Sequence, residues 1–220
     1  MTLLAMLLIA DVVLIGMSLA HYMGIVQSAY FAVDMDRGYA EFFQDLKALW
    51  ASVLFGMIYL YRRQLIFLVA ATLFCYLLID DAMQVHEAAG LLLIDPLNLQ
   101  PALGLRARDF GELIFSGTVG LTFIILGALA YRFGDAMSRR ICIHLLLSCL
   151  ALGFFGVGVD MAHIAIGKGT ATIDMWFTTI EDGGELLVFS FFTWYAYGLF
   201  QYMTNYCHVS LGFKPPEKIN

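Results

Sequence analysis

The chain has 220 residues, 61% of them hydrophobic and 14% charged, with a formal net charge of −6. A soluble domain carries roughly 25% charged residues, so the apolar excess has to face lipid and a soluble globular protein is excluded. The acidic balance, with no basic stripe, also excludes nucleic-acid binding.

Transmembrane helices need about 20 apolar residues, fewer when flanking side chains snorkel. Six segments qualify: about 3–22, 43–61, 64–83, 112–132, 141–163 and 184–206. The connections are short, so residues 1–220 read as a single polytopic membrane domain. The expected fold is an all-α integral membrane protein, a six-transmembrane-helix bundle of three helical hairpins.

The first span opens "MTLLAMLLIADVV", with no Lys or Arg ahead of it and no small-residue cleavage site after it. It is expected to be a retained helix and not a cleaved signal. Asp11 stands alone inside it, with His144 as a candidate partner or a functional role of its own. The second span begins near "EFFQDL", which carries Glu41 and Asp45.

The third span runs "QLIFLVAATLFCYLLI" straight into "DDAMQVHEAAG". On one continuous helix Asp80, Gln84 and Glu87 share a face, with Asp81 and His86 on opposite flanks. Carboxylates there meet the unfavourable C-terminal end of the helix dipole close to the hydrocarbon boundary. Protonation, a charged histidine, Arg106, Arg108 or a bound cation has to offset them; for Asp81 and Glu87 a solvated loop is the plainer alternative. The loop "GLLLIDPLNLQPALGL", residues 90–105, is apolar enough to lie on the interface or on a partner.

The fourth span begins "DFGELIFS", with Asp109 and Glu112; the fifth ends "DMAHIAIG", with Asp160 and His163; the sixth begins "EDGGELLVFS", with Glu181, Asp182 and Glu185. Acids at helix starts also suit the positive end of the dipole and can cap free N–H groups. The order H-x-A-x-G, loop, D-x-G-E-L occurs in both later hairpins, so hairpins 3–4 and 5–6 are expected to be an internal repeat. "HYMG" at His21 is a fainter third copy. Cys75, Cys142 and Cys149 fall within spans and Cys207 at the end of one, which argues against a disulfide framework.

Histidines and carboxylates converging from facing helices are how bundles bind metal. The expected ligands are Asp80, His86, Glu112, Asp160, His163, Asp182 and Glu185, with Glu87 and Glu181 as catalytic candidates. Hard oxygen donors with imidazoles suit Fe best, with Zn or Mn next. The reading is a membrane metalloprotein with its site at the non-cytoplasmic face. It would be a di-iron-type oxidoreductase or Zn hydrolase acting on a lipid-soluble or periplasmic substrate. The alternatives are an ion or small-solute transporter, which wants a polar route through the midplane, and a non-catalytic subunit of a larger membrane complex. Partners are membrane lipid, other membrane subunits or a second copy of the chain. "GKGT" at Gly167–Thr170 is too short for a phosphate-binding loop, and no dinucleotide fingerprint or Gly-x-Ser-x-Gly elbow occurs.

Six spans put both termini on one side, together with Arg62, Arg63, Arg132, Arg139, Arg140, Lys214 and Lys218; Arg37, Lys47, Arg106, Arg108 and Lys168 lie opposite. The bias places both termini in the cytoplasm, across a plasma or bacterial inner membrane. Apart from Asp11, Asp135 and Glu217 the acids gather on the far side. Cysteines introduced at Ser28 and Asn98 should therefore react with an impermeant thiol reagent from outside intact cells; labelling only after lysis would invert the topology.

Overall fold

The computed structural model describes residues 2–102, 104–166 and 169–210. Lys168, Lys214, Glu217 and Lys218 from the orientation argument, and Gly167 from the repeat, lie outside the described residues. The described chain is helical throughout: α1 (Thr2–Tyr22), α2 (Tyr39–Arg62), α3 (Leu65–Met83), α4 (Val85–Leu97), α5 (Ala107–Phe133), α6 (Ala136–Gly153), α7 (Asp160–Ile166) and α8 (Ala171–Ser210). A single 3-10 turn, Ala29–Phe31, sits between α1 and α2, and a π turn, Phe154–Val159, joins α6 to α7.

Four helical stretches are long and apolar enough to cross a membrane: Thr2–Tyr22, Leu65–Met83, Ala107–Phe133 and Ala136–His163. Their outward faces carry bare Ile9, Leu121, Ile125, Leu147 and Leu150, as lipid-facing helices should. α2 and α8 hold the interior. α2 buries Ala48, Ala51, Phe55 and Ile58; α8 buries Leu186, Phe189, Phe192 and Ala196; α3 adds Phe67, Ala70 and Phe74. Phe74 stacks on Phe55 at 5.8 Å and meets Phe192 edge-on at 4.7 Å, closing the core where the three helices cross.

Polar contacts lock the same centre. Lys47 on α2 is fully buried, and so is Asp11 on α1. The Lys47 ammonium donates to Asp11 at 2.9 Å, to the Leu186 carbonyl at 2.6 Å and to Ser190 at 3.2 Å. Ser190 donates in turn to the second Asp11 oxygen at 2.5 Å. All three ammonium protons are used. His144 is not the partner of Asp11; it bonds the Tyr195 hydroxyl at 2.8 Å.

Four sequence expectations change. The third span does not continue through "HEAAG". It stops at Met83 because Gln84 adopts the left-handed conformation (φ 52°, ψ 44°), its N–H returning to the Asp80 and Asp81 carbonyls. A new helix starts at Val85, so the shared stripe of Asp80, Gln84 and Glu87 does not exist. Glu87 lies in the first turn of α4, at the favourable end of its dipole, and not at a helix C-terminus. Residues 90–97, expected in a loop, continue α4. Finally, α8 starts at Ala171, so Glu181, Asp182 and Glu185 lie well inside a helix and cannot cap its start. Asp109 does cap: it accepts the Arg106 N–H at 2.8 Å and pairs with the Arg106 guanidinium.

Removing one partner of a buried ion pair strands the other charge, at a cost of about 3–5 kcal/mol. Lys47→Ala should therefore lower the thermal unfolding midpoint sharply in detergent. Lys47→Met combined with Asp11→Leu should recover most of the loss, because no charge is left uncompensated.

Candidate functional site

The end of α3 and the start of α4 form an acidic corner. Asp80 sits at the C-terminus of α3, but its carboxylate reaches across the break. It accepts the His86 backbone N–H at 2.9 Å and the His86 ring Nδ1 at 3.1 Å. One acid therefore caps α4 and holds an imidazole. The α4–α5 crossing beside it is very close. A Cβ on Gly111 would collide with the Gly90 backbone, and one on Gly90 would strike Glu112. Only glycine at both positions lets the two backbones meet. Arg108 on α5 then bridges Glu87 and Glu112, tying the α4 acid to the α5 acid.

Opposite them, the π turn changes the phase of the α6–α7 helix. Gly156 within it leaves the space that the Glu185 carboxylate fills. π turns concentrate at functional sites because they re-aim side chains at the expense of regular hydrogen bonding. The Glu185 carboxylate also accepts from Gln44 on α2 at 3.3 Å.

These groups line one end of a cavity of about 1320 Å³ between α3, α5, α6 and α8. Of the residues expected from sequence, Asp80, His86, Glu87, Glu112, Asp160, Glu181, Asp182 and Glu185 all line it. His163 does not. Its Nε2 pairs with Asp174 at 3.1 Å and its ring stacks on Phe177 at 4.9 Å, so it is held by the first turns of α8. The two histidines of the repeat therefore make unlike contacts. His21, from the fainter third copy, bonds the Val26 carbonyl through Nδ1 at 2.9 Å.

A second, smaller cavity of about 120 Å³ adjoins, lined by Glu41, Gln44, Asp81, His86, Asp182 and Glu185 among others. Here Glu41, Asp45 and Asp81 each present an oxygen within 4.8 Å of the other two. Asp45 Oδ1 is buried without a hydrogen-bond partner. A buried acceptor left unpaired is costly, and the spacing of these three oxygens is one that could hold a metal ion. Sequence reasoning assigned none of its three members as ligands. The signal was present: "EFFQD" spaces Glu41 and Asp45 one helical turn apart, on one face of α2.

Three cations at the corner are already committed. Arg106 holds Asp109, Arg108 holds Glu87 and Glu112, and His86 holds Asp80. Among the described residues no Lys, Arg or His lies within ion-pair distance of Asp81, Asp160, Glu181, Asp182 or Glu185. Carboxylates drawn away from water without such partners need protons or a cation.

Fold and site together define a class: an all-helical protein with four helices suited to crossing a membrane, carrying an acid-rich cavity. The chain belongs to the family described as domain of unknown function DUF8692, whose model it matches over residues 2–199. No curated protein and no solved structure matches it.

The Asp80 carboxylate, with Glu112 and Glu87 beyond it, raises the His86 pKa above its ordinary 6.5. A raised folded-state value means that this pair stabilises fully below pH ~6.5 and loses its contribution as pH climbs through the higher, folded value. Asp80→Asn should return the His86 titration toward 6.5, read by NMR of the ring protons. It should also flatten that part of the pH dependence of thermal stability.

Proposed function

We propose that this protein is a membrane metalloprotein in which a carboxylate-bound divalent cation stands beside a cavity sized for a lipid-soluble molecule. The observation that carries the reading is the Glu41–Asp45–Asp81 trio, with its unpaired Asp45 oxygen, sharing the acidic corner with a cavity of about 1320 Å³. Typical small-molecule pockets are about 300–1,000 Å³, so the space favours a lipid over a small metabolite. The trio offers oxygen only, which favours Mn²⁺ over Zn²⁺; Fe²⁺ would draw on the His86 imidazole that lines the same small cavity. His86, Glu87, Glu112, Asp160, Glu181, Asp182 and Glu185 supply proton-accepting groups next to it, and the reading is of a metal-dependent enzyme, an oxidoreductase or a hydrolase.

The same reading takes α2 and α8 as the remaining two of six spans, with both termini cytoplasmic and the acidic corner at the outer face of a plasma or bacterial inner membrane. The repeat is part of it: Gly184 occupies the position of Gly111 and is likewise closely packed, though against the Phe155 ring and not a backbone. A transporter is the weaker reading. Its polar route would run through Asp11, Lys47 and Ser190, and all three are fully buried and mutually bonded. The exposed Leu91 and Leu92 on α4 suit a bilayer interface or a neighbouring subunit.

Elemental analysis of protein purified without chelator should find about one Mn or Fe per chain. Asp45→Asn keeps the shape and deletes the unpaired charge, so it should remove most of the metal. Chelation should lower the melting temperature of wild type but not of Asp45→Asn, since only the former loses binding energy from the folded state. Metal-free wild type of unchanged stability would overturn the reading.

A further inference from the structure

The large cavity is polar at one end only. From the acidic corner it runs along α3 from Asp80 back to Ile66 and along α5 from Glu112 to Tyr131. At 1.5 Å per residue the α3 stretch is about 21 Å long, most of the way across a hydrocarbon core of roughly 30 Å. Between its ends the walls are apolar, among them Leu73, Leu77, Phe123, Leu146 and Phe189. Two lining glycines face open space: a Cβ added at Gly120 or at Gly127 would meet nothing within 4 Å. The slot is long and largely apolar, with its charged groups gathered at one mouth. That arrangement suits a hydrocarbon chain with one head group.

The charge at the mouth selects the head. Arg106, Arg108 and His86 at the mouth are already paired, while Asp160, Glu181, Asp182 and Glu185 have no cation within ion-pair distance among the described residues. A phosphate or carboxylate head would bring further negative charge to four carboxyl groups that have no ion-pair partner among the described residues. An ammonium would neutralise them and donate hydrogen bonds to their oxygens. We propose that the cavity binds a single-chain lipid with an amine-bearing head, its ammonium held by Asp160, Glu181, Asp182 and Glu185 and its chain lying along Gly120 and Gly127. This deepens the proposed function by naming the substrate class, and it rests on that reading only for the placing of the metal beside the head.

The test separates the two. The protein is placed in phosphatidylcholine nanodiscs, with and without prior chelation, and labelled with a photoreactive hexadecylamine. Unlabelled hexadecylamine should compete at least tenfold better than hexadecanol, and palmitate least of all. Labelling should persist after chelation, because the head is held by carboxylates outside the Glu41–Asp45–Asp81 trio. Asp160→Asn with Glu181→Gln should erase the preference for the amine while leaving hexadecanol competition unchanged.

Chain length gives an independent arm. Gly127 lies about 22 Å along α5 from Glu112, and Gly120 about 12 Å, at 1.5 Å per residue. Both positions open on empty space, so leucine there should not disturb the packing. Gly127→Leu should weaken hexadecylamine at least tenfold and leave decylamine within twofold; Gly120→Leu should weaken both. Equal competition by palmitate would overturn the head assignment, and so would loss of labelling on chelation. Loss of both chain lengths, or of neither, in a folded Gly127→Leu protein would overturn the placing of the chain. None of these outcomes alters the metal content, which stands or falls on elemental analysis alone.

Discussion

The structure depends on one desolvated charge. Lys47 lies in the middle of the bundle with no access to solvent, and its ammonium joins Asp11 of α1 to Leu186 and Ser190 of α8 while its own backbone belongs to α2. In an apolar medium an unpaired ammonium or carboxylate costs several kcal/mol. These helices therefore cannot slide or rotate past one another without breaking bonds that water is not present to replace. Hydrophobic packing alone discriminates poorly between such registers, since one apolar face fits another in several ways and lipid is as apolar as leucine. The polar node fixes which turn of α1 meets which turn of α8, and so fixes where the acids of α8 emerge.

That registration explains how so many carboxylates share one corner. Glu185 immediately precedes the Lys47 contact Leu186 on α8, with Asp182 and Glu181 one turn or so further back, and Asp45 and Glu41 stand two and six residues before Lys47 on α2. The buried cation holds the two acid-bearing helices together without itself neutralising the acids. Arg106, Arg108 and His86 settle the α4–α5 side of the corner, each with named partners. The α2–α8 side has no such partners among the described residues, and there the two proposed ligands, a divalent cation and an ammonium, meet charge that the protein leaves open.

The all-helical class and the four most apolar helices were legible in the sequence because long apolar runs have few alternative explanations. The gathering of acids was legible too, since eight of the nine proposed site residues line one cavity. Helix boundaries were less so. The break at Gln84 needs a left-handed residue that glycine usually supplies, and glutamine gave no warning of it. The early start of α8 was hidden because "ATIDMWFTT" is amphipathic enough for either a loop or a helix. Lys47 was read as an outer-face cation, since sequence distance shows nothing of Asp11, thirty-six residues away. The trio escaped because its members come from α2 and α3, and sequence spacing does not show which turn of one faces which turn of the other.

The π turn at Phe154–Val159 has a consequence for how this chain tolerates insertion and deletion. A π turn holds one residue more than the α turn it replaces, and each residue advances a helix by about 100°. Deleting one residue between Phe154 and Val159 would restore regular hydrogen bonding and make a straighter local helix. It would leave Asp160 at the same azimuth, whereas regularising the segment at its present length would swing Asp160 about a quarter of the way around the axis, off the cavity wall it now shares with Glu185. At this chain length the π geometry is locally unfavourable and is what keeps Asp160 on that wall. Length and turn geometry in this segment are thus tied by a phase constraint that its plain composition, four aromatic or aliphatic residues and two glycines, does not advertise.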